Sequence, residues 1–279
     1  VKPFIVAEVS ANHLGSFDRA VDIVKAAAAA GADAVKLQTF TPEQMVDPEK
    51  VIEAGPWAGR KALDLYREAH TPRSWHAPLF DLAKWLRLTA FSAPFHPDDV
   101  DFLEKLGCPM YKIASFELTD TDLVAYAART GKPLILSTGM ASESEVFRAA
   151  AAAFDGGCPD LTLLKCTSAY PADARDAHLR TMQDLRAHAP KVGISDHSLG
   201  IGVAVAAAAL GADVIEKHLT LSRADGGPDA AFSMEPTEFA QMVTECRRAA
   251  AAVGEVRYGP TESEKPHLNL RRAAGGKRG

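Results

Sequence analysis

Val214-Ile215-Glu216-Lys217-His218-Leu219-Thr220, entered through Gly211-Ala212-Asp213, reads as a β-strand that gathers charge toward its end. Gly211 follows an alanine-rich run and marks a helix stop. Side chains alternate along a strand, so Glu216 and His218 share a face. Burying a carboxylate beside an imidazole is costly unless both are used. One helix earlier, Val192-Gly193-Ile194-Ser195-Asp196-His197-Ser198 brings a second histidine to a strand end. The expectation is that His197 and His218 share a divalent metal at the mouth of a barrel. The bland alternative is two histidines satisfied by structural hydrogen bonds.

Outward from that stretch, strand-like and helix-like segments alternate along the chain. Strands are expected at 4–10, 34–40, 89–95, 110–115, 133–138, 161–168, 192–198 and 214–220. Helices are expected at 17–30, 74–87, 97–106, 120–129, 143–154, 174–188, 201–210 and 236–253, with Ser16 capping the first. Strands that alternate with helices imply a parallel sheet, and eight such units imply an α/β fold of the (β/α)8 TIM-barrel type. An open doubly wound sheet is the runner-up. It is disfavoured because no glycine-rich dinucleotide fingerprint follows the first strand. Residues 30–36 and 210–217 echo each other as Ala-Gly-Ala-Asp and Leu-Gly-Ala-Asp, the same helix-to-strand turn used twice. A long connection at 41–73 carries Trp57 and Tyr66 and is expected to hold a short helix or a function. The barrel is assigned to 1–255, and the polar 256–279 to a tail or truncated linker.

A chain of 279 residues with 47% hydrophobic content can bury a large core. Its net charge of −5 and lack of a basic cluster beyond the short tail argue against nucleic acid and anionic membrane as partners. No apolar run is long enough to span a bilayer, and Val1-Lys2-Pro3-Phe4-Ile5-Val6 runs straight into a strand, so no signal peptide is expected. Cys108, Cys158, Cys166 and Cys246 show no CxxC pairing, which suits a reducing, cytoplasmic setting.

Barrel active sites lie at the C-terminal strand ends. Those ends offer Glu8, then Lys36 and Gln38, then Lys112, Ser115 and Glu117. Further along come Ser137, then Ser168 and Tyr170, then Ser195 and His197, then Glu216 and His218. Lysines provide charge and serines donate hydrogen bonds, so this set is a plausible phosphate cradle. Asp225 and Asp229, in the Gly-Gly-Pro loop beyond His218, are both within reach of the mouth. Lys165 on the sixth strand offers a Schiff-base alternative, but its parity is opposite to Ser168, which turns it toward the helices.

The motifs AEVSANHLGS (7–16), GADAVKLQTF (31–40), YKIASFELTD (111–120), LSTGMAS (136–142), CTSAYP (166–171), GISDHSLG (193–200) and VIEKHLTLSRADGGPDAAFSMEP (214–236) cover nearly the whole chain. In this pattern the chain resembles the sialic acid synthase family, which condenses phosphoenolpyruvate with an amino-sugar. CTSAYP and the Gly-Gly-Pro-Asp run look most like its pseudaminic acid synthase branch. The resemblance implies a pseudaminic acid product from 2,4-diacetamido-2,4,6-trideoxy-altrose, with N-acetylneuraminate and legionaminate synthases as alternatives. It implies that His197 and His218 hold a divalent cation, usually manganese, with magnesium or cobalt acceptable to the same ligands.

By the same resemblance, Lys36, Lys112, Ser115, Ser137 and Ser195 would bind phosphoenolpyruvate. Glu8, Gln38, Glu117, Tyr170 and Asp229 would contact the open-chain sugar or move protons, and Glu216 would support the metal side. Ser168 stands where N-acetylneuraminate enzymes carry asparagine. The family also implies a homodimer and a small C-terminal antifreeze-like lid domain, which this sequence does not contain. A sugar-acid-binding protein idled by the missing lid is the competitor from another class.

Overall fold

A computed structural model describes residues 2–272. In chain order the elements are β1 (Phe4–Glu8), α1 (Phe17–Ala29), β2 (Ala34–Thr39), α2 (Pro42–Met45), α3 (Ala62–Ala69) and α4 (Arg73–Trp85). Next come β3 (Thr89–Pro94), α5 (Pro97–Lys105), β4 (Tyr111–Ile113), α6 (Thr121–Ala128), β5 (Leu134–Ser137) and α7 (Glu143–Asp155). The last are β6 (Leu161–Cys166), α8 (Leu179–Asp184), β7 (Lys191–Asp196), α9 (Gly202–Ala209), β8 (Val214–His218) and α10 (Pro236–Val253). The strands close in sequence order into a barrel, as expected for a (β/α)8 chain, and β1 pairs in parallel with both β2 and β8.

The helices form for local reasons. In α1, Ala20, Ile23, Val24 and Ala27 fall on one face and are buried against the barrel. Ser16 caps it by accepting from the Arg19 N–H at 3.3 Å. The strands are buried on both faces, because helices cover the outside and side chains fill the lumen. All five residues of β8 are buried, Glu216, Lys217 and His218 included.

The repeated Gly-Ala-Asp turn is the same device in three dimensions. Gly31 and Gly211 sit at φ +83° and +87°, where a side chain would strain the backbone. Asp33 then accepts from the Ile5 N–H at 2.9 Å, and Asp213 from the Val192 N–H at 3.0 Å. Each aspartate also meets an arginine: Arg247 of α10 lies 3.0 Å from Asp33, and Arg186 lies 3.1 Å from Asp213.

Several boundaries differ from expectation. The helix expected at 174–188 is broken into 3-10 turns around α8, because His178 takes a left-handed backbone at φ +41°. β4, β6 and β7 end earlier than expected, so Ser115, Ser168 and His197 project from the loops just beyond the ladders. The long connection holds α2, α3 and an irregular hairpin, with an antiparallel bridge between Val51 and Lys61. Residues 256–272 are exposed, and 273–279 of the expected tail lie outside the described residues. Among the described residues no helix is long and apolar enough to cross a membrane.

Candidate active site

Barrel register assembles the floor of the site. Glu8 aligns with Lys36 on one side and His218 on the other, and Ser195 aligns with Glu216. Lys36 pairs with Glu8 and lies 3.9 Å from Glu216. Lys112 Nζ donates to both Glu216 oxygens at 2.8 and 3.0 Å, and Ser195 Oγ donates to Glu216 Oε1 at 3.0 Å. Two ammonium groups and two carboxylates therefore interlock inside the lumen. Burial alone would raise Glu216, but Lys112 and Lys36 outweigh it and hold the carboxyl at about 2. Burial pushes Glu8 upward, against the pull of Lys36. Burial also pushes Lys112 downward, with Glu216 opposing.

Above this floor lies a serine cradle. Ser115 Oγ accepts from the Gly139 N–H at 3.1 Å, and the buried Ser137 Oγ has no hydrogen-bond partner. A Cβ on Gly139 would collide with Ser168 Oγ and come within 2.7 Å of Ser115 Oγ. Close approach of backbone to the hydroxyls thus demands glycine here. Hydroxyls, a backbone N–H and two lysines together suit an anion with several acceptor oxygens. Gly139→Ala should fold normally and raise the KM for a phosphate-bearing substrate about tenfold, given the usual cost of overpacking. Steady-state kinetics read this directly, and an unchanged KM would remove the cradle from the binding site.

The two histidines converge, with ring centroids 5.3 Å apart. His197 Nδ1 lies 3.0 Å from the Thr167 carbonyl oxygen. Burial opposes charge on this ring, but Cys166 and the Thr167 carbonyl raise His197 above its usual range. A carbonyl only accepts, so Nδ1 carries a proton and Nε2 is the ring atom left to face a cation. That is how a metal-binding imidazole is commonly oriented. His218 Nδ1 is buried without a hydrogen-bond partner and lies 3.8 Å from Asp229 Oδ2. Burial, with His197 and the two lysines nearby, drives His218 well below its usual range, which keeps it neutral and able to ligate. These observations suit a divalent cation. Among the described residues no group of three or more His, Cys, Asp or Glu is preformed for one.

Asp229 reaches the mouth, where it accepts from Ser10 Oγ at 2.5 Å, and burial raises its carboxyl. Asp225 does not, and pairs instead with Arg19 at 2.6 Å on the surface. Gln38 Nε2 donates to the same Ser10 hydroxyl at 3.1 Å. Glu117 Oε2 is buried and unpartnered, and burial pushes this carboxyl up to about 7. Tyr170 follows β6 and packs on His197, with centroids 4.4 Å apart. Lys165 Nζ donates to the Cys166 carbonyl at 2.8 Å and to Thr167 Oγ1 at 3.1 Å, on the helix side as its parity required. A Schiff base in the lumen is therefore out of its reach.

Some contributors carried no sequence signal. Ser10 takes a left-handed backbone at φ +44°, and its N–H donates to Glu8 Oε1 at 2.9 Å. Outside the lumen, Lys217 Nζ donates to Asp196 Oδ2 at 2.7 Å and to the Ser198 carbonyl at 2.6 Å. Asp196 also accepts from Ser198 N–H and Oγ, which grips the turn presenting His197. Asp196→Ala should cost about 3–5 kcal/mol, because it strands a buried ammonium. Urea unfolding reads the loss, and pairing the change with Lys217→Met should recover most of it.

Residues 23–258 match the model of the NeuB family. The chain belongs to the NeuB family. Among NeuB-family relatives, it is 43% identical to the pseudaminic acid synthase of Campylobacter jejuni over 91% of this chain and 76% of that protein. It is likewise 43% identical to the pseudaminic acid synthase of Helicobacter pylori, over 96% and 78%. The N-acetylneuraminic acid (sialic acid) synthetase of Leptospira borgpetersenii superposes with a TM-score of 0.86 at 32% identity, covering 96% of this chain and 90% of that one. The NeuB assignment bears out the family read from the motifs, and the barrel is shared with the Leptospira synthetase.

Proposed function

We propose that this NeuB-family chain condenses phosphoenolpyruvate with an open-chain acylated amino-sugar and water, releasing a nine-carbon sugar acid and phosphate. The finer reading is a pseudaminic acid synthase acting on 2,4-diacetamido-2,4,6-trideoxy-altrose. The observation that carries it is the 43% identity to two pseudaminic acid synthases over 91% and 96% of the chain. The interlocked lysine–glutamate floor beneath the serine cradle supports it. Four cysteines, all buried and free, support a cytoplasmic setting, and the family resemblance supports a homodimer.

In this reading Lys36, Lys112, Ser115, Ser137, Ser168 and Ser195 hold phosphoenolpyruvate, and the Gly139 N–H fixes the Ser115 hydroxyl. His197 and His218 hold a divalent cation, with manganese the first choice. When bound, the cation supplies Lewis-acid polarisation of the sugar's aldehyde oxygen. Gln38, Tyr170 and Asp229 orient the sugar. C3 of phosphoenolpyruvate forms a bond to the aldehyde carbon, and protonated Glu117 gives its proton to the oxygen that becomes a hydroxyl. Water then adds at C2, and the Glu117 carboxylate takes its proton back. The tetrahedral centre collapses to the C2 carbonyl and expels phosphate by C–O cleavage, the C2 hydroxyl proton leaving with the phosphate. Glu8 and Glu216 keep both lysines charged and in register throughout.

The test is phosphate release from phosphoenolpyruvate carrying bridging 18O, across a panel of 2-acetamido and 2,4-diacetamido sugars. Label leaving with phosphate, dependent on sugar and abolished by His218→Ala, is expected. Full turnover after chelation would remove the metal from the scheme, and no release with any sugar would sink the reading.

A further inference from the structure

Residues 50–62 form a hairpin over the barrel mouth. Ile52 N donates to the Arg60 carbonyl at 3.0 Å, Gly59 N to the Ile52 carbonyl at 2.9 Å and Ala62 N to the Lys50 carbonyl at 2.9 Å. The hairpin is fastened to α3 by Arg60 and Glu68, 2.5 Å apart. Trp57 stands near its tip, half-buried, and its Nε1–H donates to the Pro228 carbonyl at 2.9 Å. Pro228 precedes Asp229 and follows two glycines at φ +74° and +105°. Backbone freedom at those glycines has to be taken up by contacts of the loop itself.

The indole also completes an aromatic wall. Trp57 lies 5.3 Å from Tyr170 and 6.4 Å from Phe232 by ring centroids. Phe232 lies 5.0 Å from His218, and Tyr170 lies 4.4 Å from His197. Rings therefore run without a break from the hairpin tip to the histidine pair. The indole N–H is already spent on Pro228, so this wall offers a ligand mainly apolar surface. A hydroxyl-rich sugar end would leave its hydroxyls unpaired there, whereas a methyl or acetyl group matches it.

We infer that Trp57 has two jobs: its N–H latches the loop that carries Asp229, and its ring selects sugars with an apolar, deoxygenated end. The second job rests on the proposed synthase function. The first does not.

Two variants separate them. Trp57→Phe keeps a ring and loses the N–H, while Trp57→Ala loses both. Hydrogen exchange on the substrate-free full chain should show faster exchange across residues 226–233 in both variants. Unchanged exchange there overturns the latch. In kinetics, Trp57→Ala should lower kcat/KM for the 2,4-diacetamido-trideoxy sugar roughly tenfold or more, and for N-acetylmannosamine by less than about threefold. The KM for phosphoenolpyruvate should stay unchanged, and Trp57→Phe should restore most of the sugar preference. Equal losses on both sugars overturn the selective wall. A wild-type chain that turns over neither sugar counts against the synthase reading and the wall together, while exchange still decides the latch.

Discussion

Glu117→Gln is expected to lower kcat by about two to four orders of magnitude, the usual contribution of a positioned acid or base. The side chain keeps its shape, so circular dichroism and substrate KM values should barely move. The carboxyl is pushed up to about 7 by burial, and its Oε2 is unpartnered, so in the free enzyme a large share is protonated at neutral pH. Acting first as an acid, it should make kcat/KM fall as pH rises through 7, by about tenfold per unit beyond. The linkage runs the same way for stability. A folded pKa above the unfolded value gives stability that is present below about 4.5 and lost as pH rises through 7. The glutamine variant should therefore be more stable than wild type at pH 8, by about 3 kcal/mol, and equal to it near pH 4. Urea unfolding at the two pH values measures this. A variant that is fully active, or no more stable at pH 8, would remove Glu117 from the chemistry.

Glu216→Ala should be the most damaging change to the barrel floor, costing about 3–5 kcal/mol and on the order of 10 °C in Tm. Lys112 loses both of its carboxylate hydrogen bonds, and Ser195 loses its acceptor. Lys36 keeps Glu8 but loses its second anion. The buried ammonium of Lys112 is then uncompensated, and burial already lowers it. An anion in the lumen would answer that charge, so added phosphoenolpyruvate should raise the variant's Tm by more than it raises that of wild type. Thermal scans with and without the ligand decide it. A loss below about 1 kcal/mol would mean that the lysines are solvated rather than paired.

The lumen was legible because strand parity is a strict rule. Lys36 and Gln38, Glu216 and His218, and Lys165 against Ser168 all lie on the faces their spacing requires. Register supplied the rest, since it sets Glu8 beside both Lys36 and His218. Loop contributions were not legible, because loops obey no period. Asp229 and Asp225 stood equal in sequence, yet one is buried at Ser10 and the other pairs with Arg19. Trp57 meets Pro228 across 171 residues, a contact no local pattern encodes. The break at His178 carries no sequence signal, because its cause is a left-handed backbone at a residue that is neither proline nor glycine.

The doubled Gly-Ala-Asp turn bears on how such a ring comes to be assembled. Arg247 grips the very carboxylate that receives the amide of Ile5, so the final helix secures the first strand. A nascent polypeptide emerging unit by unit carries an open flank on its opening strand until β8 has been synthesised, and only then can Arg247 lock the closed ring. Shortened forms ending before β8 should then be the sticky, chaperone-dependent ones, as expected where an unpaired strand edge waits on a distant contact.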